Sequence, residues 1–259
     1  MVRTSAKKRS QAARKAWASK ARGRAASAKL IDLYYWPTPN GYKVSIMLEE
    51  CGLPYRVIPL NIARGDQFKP AFLAISPNNR MPAIVDPAGP GGRPISIFES
   101  GAILQYLGRK TGRFYPATER ARVEVDQWLF WQMANLGPKA GECHHFRLYA
   151  PERATQQYAI ERFTNECNRL YGVMNRRLAD RDFLAGSYSI ADMACVGWAS
   201  RWQRQGQDIG EFPHLKGWLD RMLARPAVYE GMHIWVEAAS KVSMDDPATR
   251  ATLFGQRAL

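Results

Sequence analysis

The sequence predicts an α/β domain with a mixed sheet, in the order β-α-β-α-β-β-α, followed by an all-α domain. Three observations predict it. Short strand-like apolar runs alternate with helix-period runs from Leu30 to Gly112. After Pro116 strand signals fade and the long runs are helix-compatible. The 259 residues are 46% hydrophobic and 11% aromatic, which is ample for packed cores.

Leu30 to Tyr35 (LIDLYY) reads as the first strand and ends at a turn containing Pro37 and Pro39. After Asn40-Gly41, the residues Val44, Met47, Leu48 and Cys51 recur at helical spacing, and Gly52 with Pro54 stops that helix. Tyr55 to Leu60 (YRVIPL) alternates as a strand. Asp66 to Ile75 is a short helix candidate weakened by Pro70, which disfavours the α-region at Lys69. The strands Ala83–Asp86 and Pro94–Phe98 are joined by the turn-forming PAGPGG and should pair antiparallel. Glu99 to Gly112 closes the unit as a helix, with Ile103, Leu104 and Leu107 on one face and Gly112 past its end. This is the element order of a thioredoxin-like domain. Helices are then expected within 119–136, 152–180, 189–205 and 214–239.

The corresponding division is a basic tail at 1–29, a thioredoxin-like domain at 30–114, a linker at 115–120, a helical domain at 121–237 and a polar, loosely held tail at 238–259. The net charge of +14 is concentrated at the start: residues 1–29 carry ten Lys or Arg and no acid, leaving +4 on the rest. With almost no branched aliphatic residue, this tail cannot bury enough surface to order itself. A solvated, disordered extension is the first reading; an anionic surface, nucleic acid or lipid, is the second; a transit-like address is last. No secretory apolar segment and no run of membrane-spanning length is present in this sequence, so a cytoplasmic protein is expected. Cys51, Cys143, Cys167 and Cys195 form no C-x-x-C and are expected to be reduced, buried small hydrophobes.

Four segments hold candidate chemistry or capping. In the turn PTPNG, Thr38 and Asn40 stand at a helix N-terminus where a thiol-handling protein often places a Cys; Asn40 is also a plausible plain N-cap. Pro82, directly before a strand, calls for a turn or a cis Met81–Pro82 bond, the latter freeing Met81's backbone for an extended peptide-like ligand. An ordinary strand-entry proline is the alternative that the residues alone favour. Glu99 and Ser100 begin a helix, where an ammonium can pair with Glu99 and a carboxylate can sit on Ser100, although either residue can equally serve as a simple cap. Ser189 to Asp192 (SIAD) is a capping box with Tyr188 and Met193 as its staple, a structural device whose loss on Asp192→Ala should cost about 1 kcal/mol.

Together these segments resemble the glutathione transferase superfamily over about Leu30 to Trp235. NRMPAIVD resembles its cis-proline loop, FESGAILQYL its γ-glutamyl site, and SIADMACVGW its capped helix. PTPNGYKVSIMLEE, GDQFKPAFLAISPNN, WLFWQ, LGP, HHF and YAIERF are similar in particular to the bacterial nu class.

The resemblance implies glutathione as co-substrate, its thiolate held by Thr38 first and Asn40 second at the helix N-terminus, with no protein Cys taking part. It implies Gln67 at the glycine end, Met81 and Pro82 at the cysteinyl backbone, Glu99 and Ser100 at the γ-glutamyl head, and Arg162 reaching in from the helical domain. The activity it implies is glutathione-dependent reduction of small-molecule disulfides by a homodimer. Conjugation of electrophiles, or a non-catalytic binding protein acting through its basic tail, are the alternatives.

A Tyr34 or Tyr35 hydroxyl is a weaker thiolate partner, since in-strand aromatics are usually core. The run Cys143 to Arg147 (CHHFR) lacks an i, i+4 ligand pairing, so His144, His145 or Arg147 as lining of an acceptor pocket between the domains is preferred to a metal site. Phosphate-loop and dinucleotide fingerprints are missing, so no nucleotide is expected.

Overall fold

The structure, a computed structural model, describes residues 29–150, 156–237 and 242–257. The expected basic tail at 1–29, apart from Lys29, lies outside them, as do the start of the expected 152–180 helix and the end of the 214–239 helix. The described residues divide into two compact units, one holding those up to Leu107 together with those from Ala224 onward, the other those within Gly108–Leu223.

In the first unit, β1 (Ile31–Tyr35) leads into α1 (Pro39–Cys51), then β2 (Tyr55–Pro59), a four-residue α2 (Pro70–Leu73), β3 (Ala83–Asp86), β4 (Ile95–Phe98) and the start of α3 (Ser100–Thr111). The sheet order is β2-β1-β3-β4, with β2 parallel to β1, β3 antiparallel to β1 and β4 antiparallel to β3. This is the mixed sheet expected from the sequence. Its parallel pair is joined by α1, as a βαβ crossover requires, while β3 and β4 form a hairpin. Leu33, Ile84, Val44, Ile46, Met47, Leu48, Ile103, Leu104 and Leu107 are fully buried and make the core.

Gly52 ends α1 in the left-handed region at φ 62, as the Gly-Pro stop predicted. The helix begins earlier than expected, at Pro39, and its N-cap is Thr38 rather than Asn40. Proline at the first helical position has its φ preset and no N–H to leave unpaired, so the cap moves to the residue before it.

The second unit is helical: α4 (Glu119–Trp131) continues through a π-helical stretch, Gln132–Leu136, into α5 (Gly137–His144) and a second such stretch, His145–Tyr149. Next come α6 (Gln157–Arg177), α7 (Ile190–Ala199) and α8 (Pro213–Ala224), whose last residue belongs to the first unit. Every residue of α7 is buried, so it forms the centre of this unit. The capping box at its start is formed, and Tyr188 packs on Phe114 and Phe183.

The expected 214–239 helix is divided. Pro226 excludes the α-region at Arg225, so α8 stops and α9 (Pro226–His233) begins anew. Helix α9 groups with the first unit: Ser45 Oγ on α1 donates to Gly231 O at 2.6 Å, and Arg225 clamps the buried Glu50 with bonds of 2.7 and 3.1 Å. The expected helical domain to 237 therefore gives its last stretch to the first unit. The expected loose tail also differs: α10 (Pro247–Phe254), capped by Asp246, lies beside the turn Ile62–Arg64, and Arg80 donates to Gln256 at 2.9 Å. An Asp-Pro start is a helix signal that the polar composition of this segment concealed.

Candidate active site

The strand register gathers the candidate residues at one end of the sheet. Tyr34 pairs with Ala83 and Ala83 with Phe98, while Tyr35 pairs with Pro59. The chain leaving β1 toward Thr38, the chain entering β3 through Met81–Pro82, the chain leaving β4 at Glu99 and the chain leaving β2 toward Gln67 therefore share that end. Helices α1 and α3 both start there, so the positive ends of two helix dipoles add potential at that end of the sheet.

Thr38 has extended backbone, φ −127 and ψ 161, and its Oγ1 accepts the Gly41 N–H at 3.2 Å. Its proton goes to Met81 Sδ at 3.4 Å. One hydroxyl thus caps a helix and presents a donor to sulfur. Gly41 is required by close approach, since a Cβ there would lie 2.4 Å from Trp36 O. Asn40 is half-buried in the first turn of α1.

The Met81–Pro82 bond is cis, so the strand-entry trans proline favoured by the residues alone is not what the chain adopts. Met81 packs on the cluster of Leu60, Phe72 and Ala83, together with Tyr34 and Ile75.

Glu99 sits at φ 66, in the left-handed region where non-glycine residues are uncommon, and accepts from Asn78 Nδ2 at 3.4 Å. Ser100 is buried, and its Oγ accepts from Lys43 Nζ at 3.3 Å. Gln67 is buried, donates to Ile62 O at 3.1 Å and leaves Oε1 without a partner among the described residues. A buried unpaired acceptor is costly and points to a donor supplied from outside.

Tyr34 packs on Phe72 and Tyr35 is core, its phenol pushed up by burial. Sequence reasoning missed Lys43 and Asn78. Lys43 had a legible signal, standing one turn before Met47 on the edge of the apolar stripe of α1.

The helical unit holds the remaining candidates. Arg162 is exposed on α6. His144 is buried against Trp198, and burial, with Arg204 and Arg201 nearby, pushes its pKa down to about 4. Arg147 donates to Thr164 at 3.3 Å, and its guanidinium lies against Gly206. Among the described residues no group of three or more His, Cys, Asp or Glu is placed to hold a metal ion, and no helix is long and apolar enough to cross a membrane.

Comparison with known proteins gives matches to both units. Residues 38–110 match the N-terminal domain family of glutathione S-transferases and residues 139–226 the C-terminal domain family. The disulfide-bond oxidoreductase YfcG of Escherichia coli is 50% identical over 206 residues, covering 78% of this chain and 94% of the relative. The disulfide-bond oxidoreductase YghU of the same organism is 39% identical, covering 78% and 73%. A crystal structure of a glutathione transferase from Pseudomonas putida, with one glutathione disulfide bound per subunit, aligns with a TM-score of 0.77 at 40% identity, covering 82% of this chain and 95% of the other.

Proposed function

The chain belongs to the glutathione S-transferase family, and from that premise we propose that it is a glutathione-dependent disulfide-bond reductase whose reactive sulfur comes from glutathione. The observation that carries this reading is the Thr38 hydroxyl, held at the N-terminus of α1 with its proton directed at a sulfur atom. The similarity to the disulfide-bond oxidoreductases YfcG and YghU supports the reaction type.

Glutathione, when bound, supplies a thiolate that attacks a disulfide sulfur; two glutathiones become glutathione disulfide as one substrate disulfide becomes two thiols. Thr38 Oγ1 donates to that thiolate while continuing to accept the Gly41 N–H. A hydrogen bond to the charged form, with the positive end of α1 behind it, lowers the thiol pKa from about 8.5 and raises the fraction reactive near neutrality. Asn40, in the same first turn, is the second donor. Gln67 takes the glycine end, its Oε1 accepting the glycyl amide N–H, and Met81 with Pro82 lies along the cysteinyl backbone. Glu99 receives the ammonium and Ser100 the carboxylate of the γ-glutamyl head at the N-terminus of α3.

A homodimer is part of the proposal, supported by Val123 and Phe130, exposed apolar residues seven apart on one face of α4. A cytoplasmic location accords with four buried cysteines, none of them in a disulfide. For the ten basic residues of 1–29 a solvated extension remains the first reading and an anionic surface such as nucleic acid the second, the second being testable as salt-dependent retention lost on deleting them.

The test of function is coupled reduction of a small disulfide beside conjugation of a small electrophile. Disulfide reduction that exceeds conjugation and collapses in Thr38→Val with Asn40→Ala is the expected result. Conjugation far above reduction would make the chain a conjugating transferase, and no calorimetric binding of glutathione would remove catalysis altogether.

A further inference from the structure

Lys43 lies on α1 five residues after Thr38, and its side chain runs into the protein, leaving 2% of the residue exposed. A buried ammonium is expensive unless acceptors surround it. One acceptor is Ser100 Oγ at 3.3 Å, on a residue only 6% exposed. An ammonium has three donors and no acceptor, so in this bond the serine oxygen accepts and its own proton points away from Lys43.

We propose that Lys43 is a positioning residue for the γ-glutamyl subsite. It fixes the Ser100 hydroxyl as a donor toward the ligand's α-carboxylate and places a buried positive charge behind it. The inference rests on the glutathione reading above and extends it to a residue that touches no ligand. The charges are complementary to a zwitterion: Glu99 faces the ammonium, while Lys43 acts through Ser100 on the carboxylate, reinforced by the N-terminus of α3. Because Thr38 and Lys43 share α1, one rigid helix sets the sulfur end and the head-group end of the same ligand. A thiol lacking the glutamyl α-carboxylate forfeits the second contribution.

Calorimetric titration tests this with two ligands: glutathione, and glutathione whose glutamyl α-carboxylate is converted to an amide. Lys43→Met is expected to weaken glutathione about tenfold and leave the amide's affinity unchanged, with kcat at saturating glutathione retained. Lys43→Arg, which keeps the charge, should recover most of the affinity. Where Lys43→Met does not fold, Lys43→Gln keeps a donor without the charge and is read in the same way, with a smaller loss confined to glutathione. Equal losses for both ligands, or no loss for either, overturn the role of Lys43. Ser100→Ala separates the two levels. If it leaves glutathione affinity intact, the γ-glutamyl assignment itself fails; if it weakens glutathione while Lys43→Met does not, only the inference about Lys43 fails.

Discussion

Thr38 and Met81 are joined by a hydrogen bond from the threonine hydroxyl to the thioether sulfur at 3.4 Å, while the same oxygen accepts the Gly41 N–H at 3.2 Å. The cap and the donor to sulfur are one group. A thioether is a weak acceptor and a thiolate a strong one, so the proton can pass to a ligand thiolate with the cap intact.

Thr38→Val therefore removes both functions, and Thr38→Ser preserves both. Turnover in disulfide reduction should fall about 100-fold in the valine variant, on the scale of a lost preorganised donor. Stability should fall by about 1 kcal/mol, the cost of a cap. Steady-state rates and urea midpoints check the pair. Full turnover in Thr38→Val would remove Thr38 from the mechanism.

Asp192 is more than a cap. It accepts from Ser189 N–H and Oγ, Leu184 N–H and Trp218 Nε1, all in the buried centre of the helical unit. Removing it strands several buried donors, so Asp192→Ala should cost about 3 kcal/mol rather than the ~1 of a simple capping box. A urea midpoint equal to wild type would contradict this.

The same residue gives a pH dependence. Burial pushes the Asp192 carboxyl up to about 6, against the opposing pull of its donors. The unfolded chain releases that proton near pH 4, the folded chain only near 6, so the contribution is full below about 4 and is lost as pH rises through about 6. The stability gap between wild type and Asp192→Ala should narrow by about 2 kcal/mol between about pH 4.5 and pH 7. A gap that widens over this range would show that the donors outweigh burial.

Gly231 lets α9 touch α1. A Cβ there would lie 2.7 Å from Ile46 N and 2.8 Å from Ile46 Cα, atoms of a helix backbone that cannot give way locally. Gly231→Ala should cost about 2 kcal/mol and, by moving the helix that carries Thr38, raise KM for glutathione as well. Thermal unfolding with steady-state kinetics reads both. Unchanged values would mean that α9 is free to shift.

The four cysteines are buried and none is in a disulfide, and none belongs to the proposed mechanism. Cys143 is pulled down by a hydrogen bond shared with Cys167, which is itself pushed up, yet neither is exposed. Maleimide should leave the native protein unlabelled and its glutathione-dependent turnover unchanged, and should label all four thiols in urea. Mass spectrometry beside activity decides it; one modified thiol with parallel loss of turnover would bring a protein sulfur back into the chemistry.

Much of the fold was legible because its signals are local. Alternation in YRVIPL, the apolar stripe Val44, Met47, Leu48 and Cys51, and the Gly52-Pro54 stop each read directly onto β2 and α1. What escaped depends on distant partners. The placement of α9 rests on Ser45–Gly231 and Glu50–Arg225, pairs 186 and 175 residues apart. Helix α10 likewise packs beside Ile62–Arg64, far back in the chain. At the site, the segments PTPNG, NRMP and FES were visible as motifs, but which residue caps α1 turned on Pro39, and the part Lys43 plays, beyond its place at the edge of the apolar stripe, depends on α3 supplying Ser100 beside it.

The most direct measurement is the pKa of the glutathione thiol in the complex, followed by thiolate absorbance as pH is raised, in wild type and in Thr38→Val. The account predicts a value at least about one unit below the free thiol's ~8.5 in wild type, returning toward that value in the variant. The same depressed pKa in both proteins would mean that Thr38 does not hold the sulfur, and an undepressed value in wild type would mean that the helix N-terminus does not stabilise a thiolate at all.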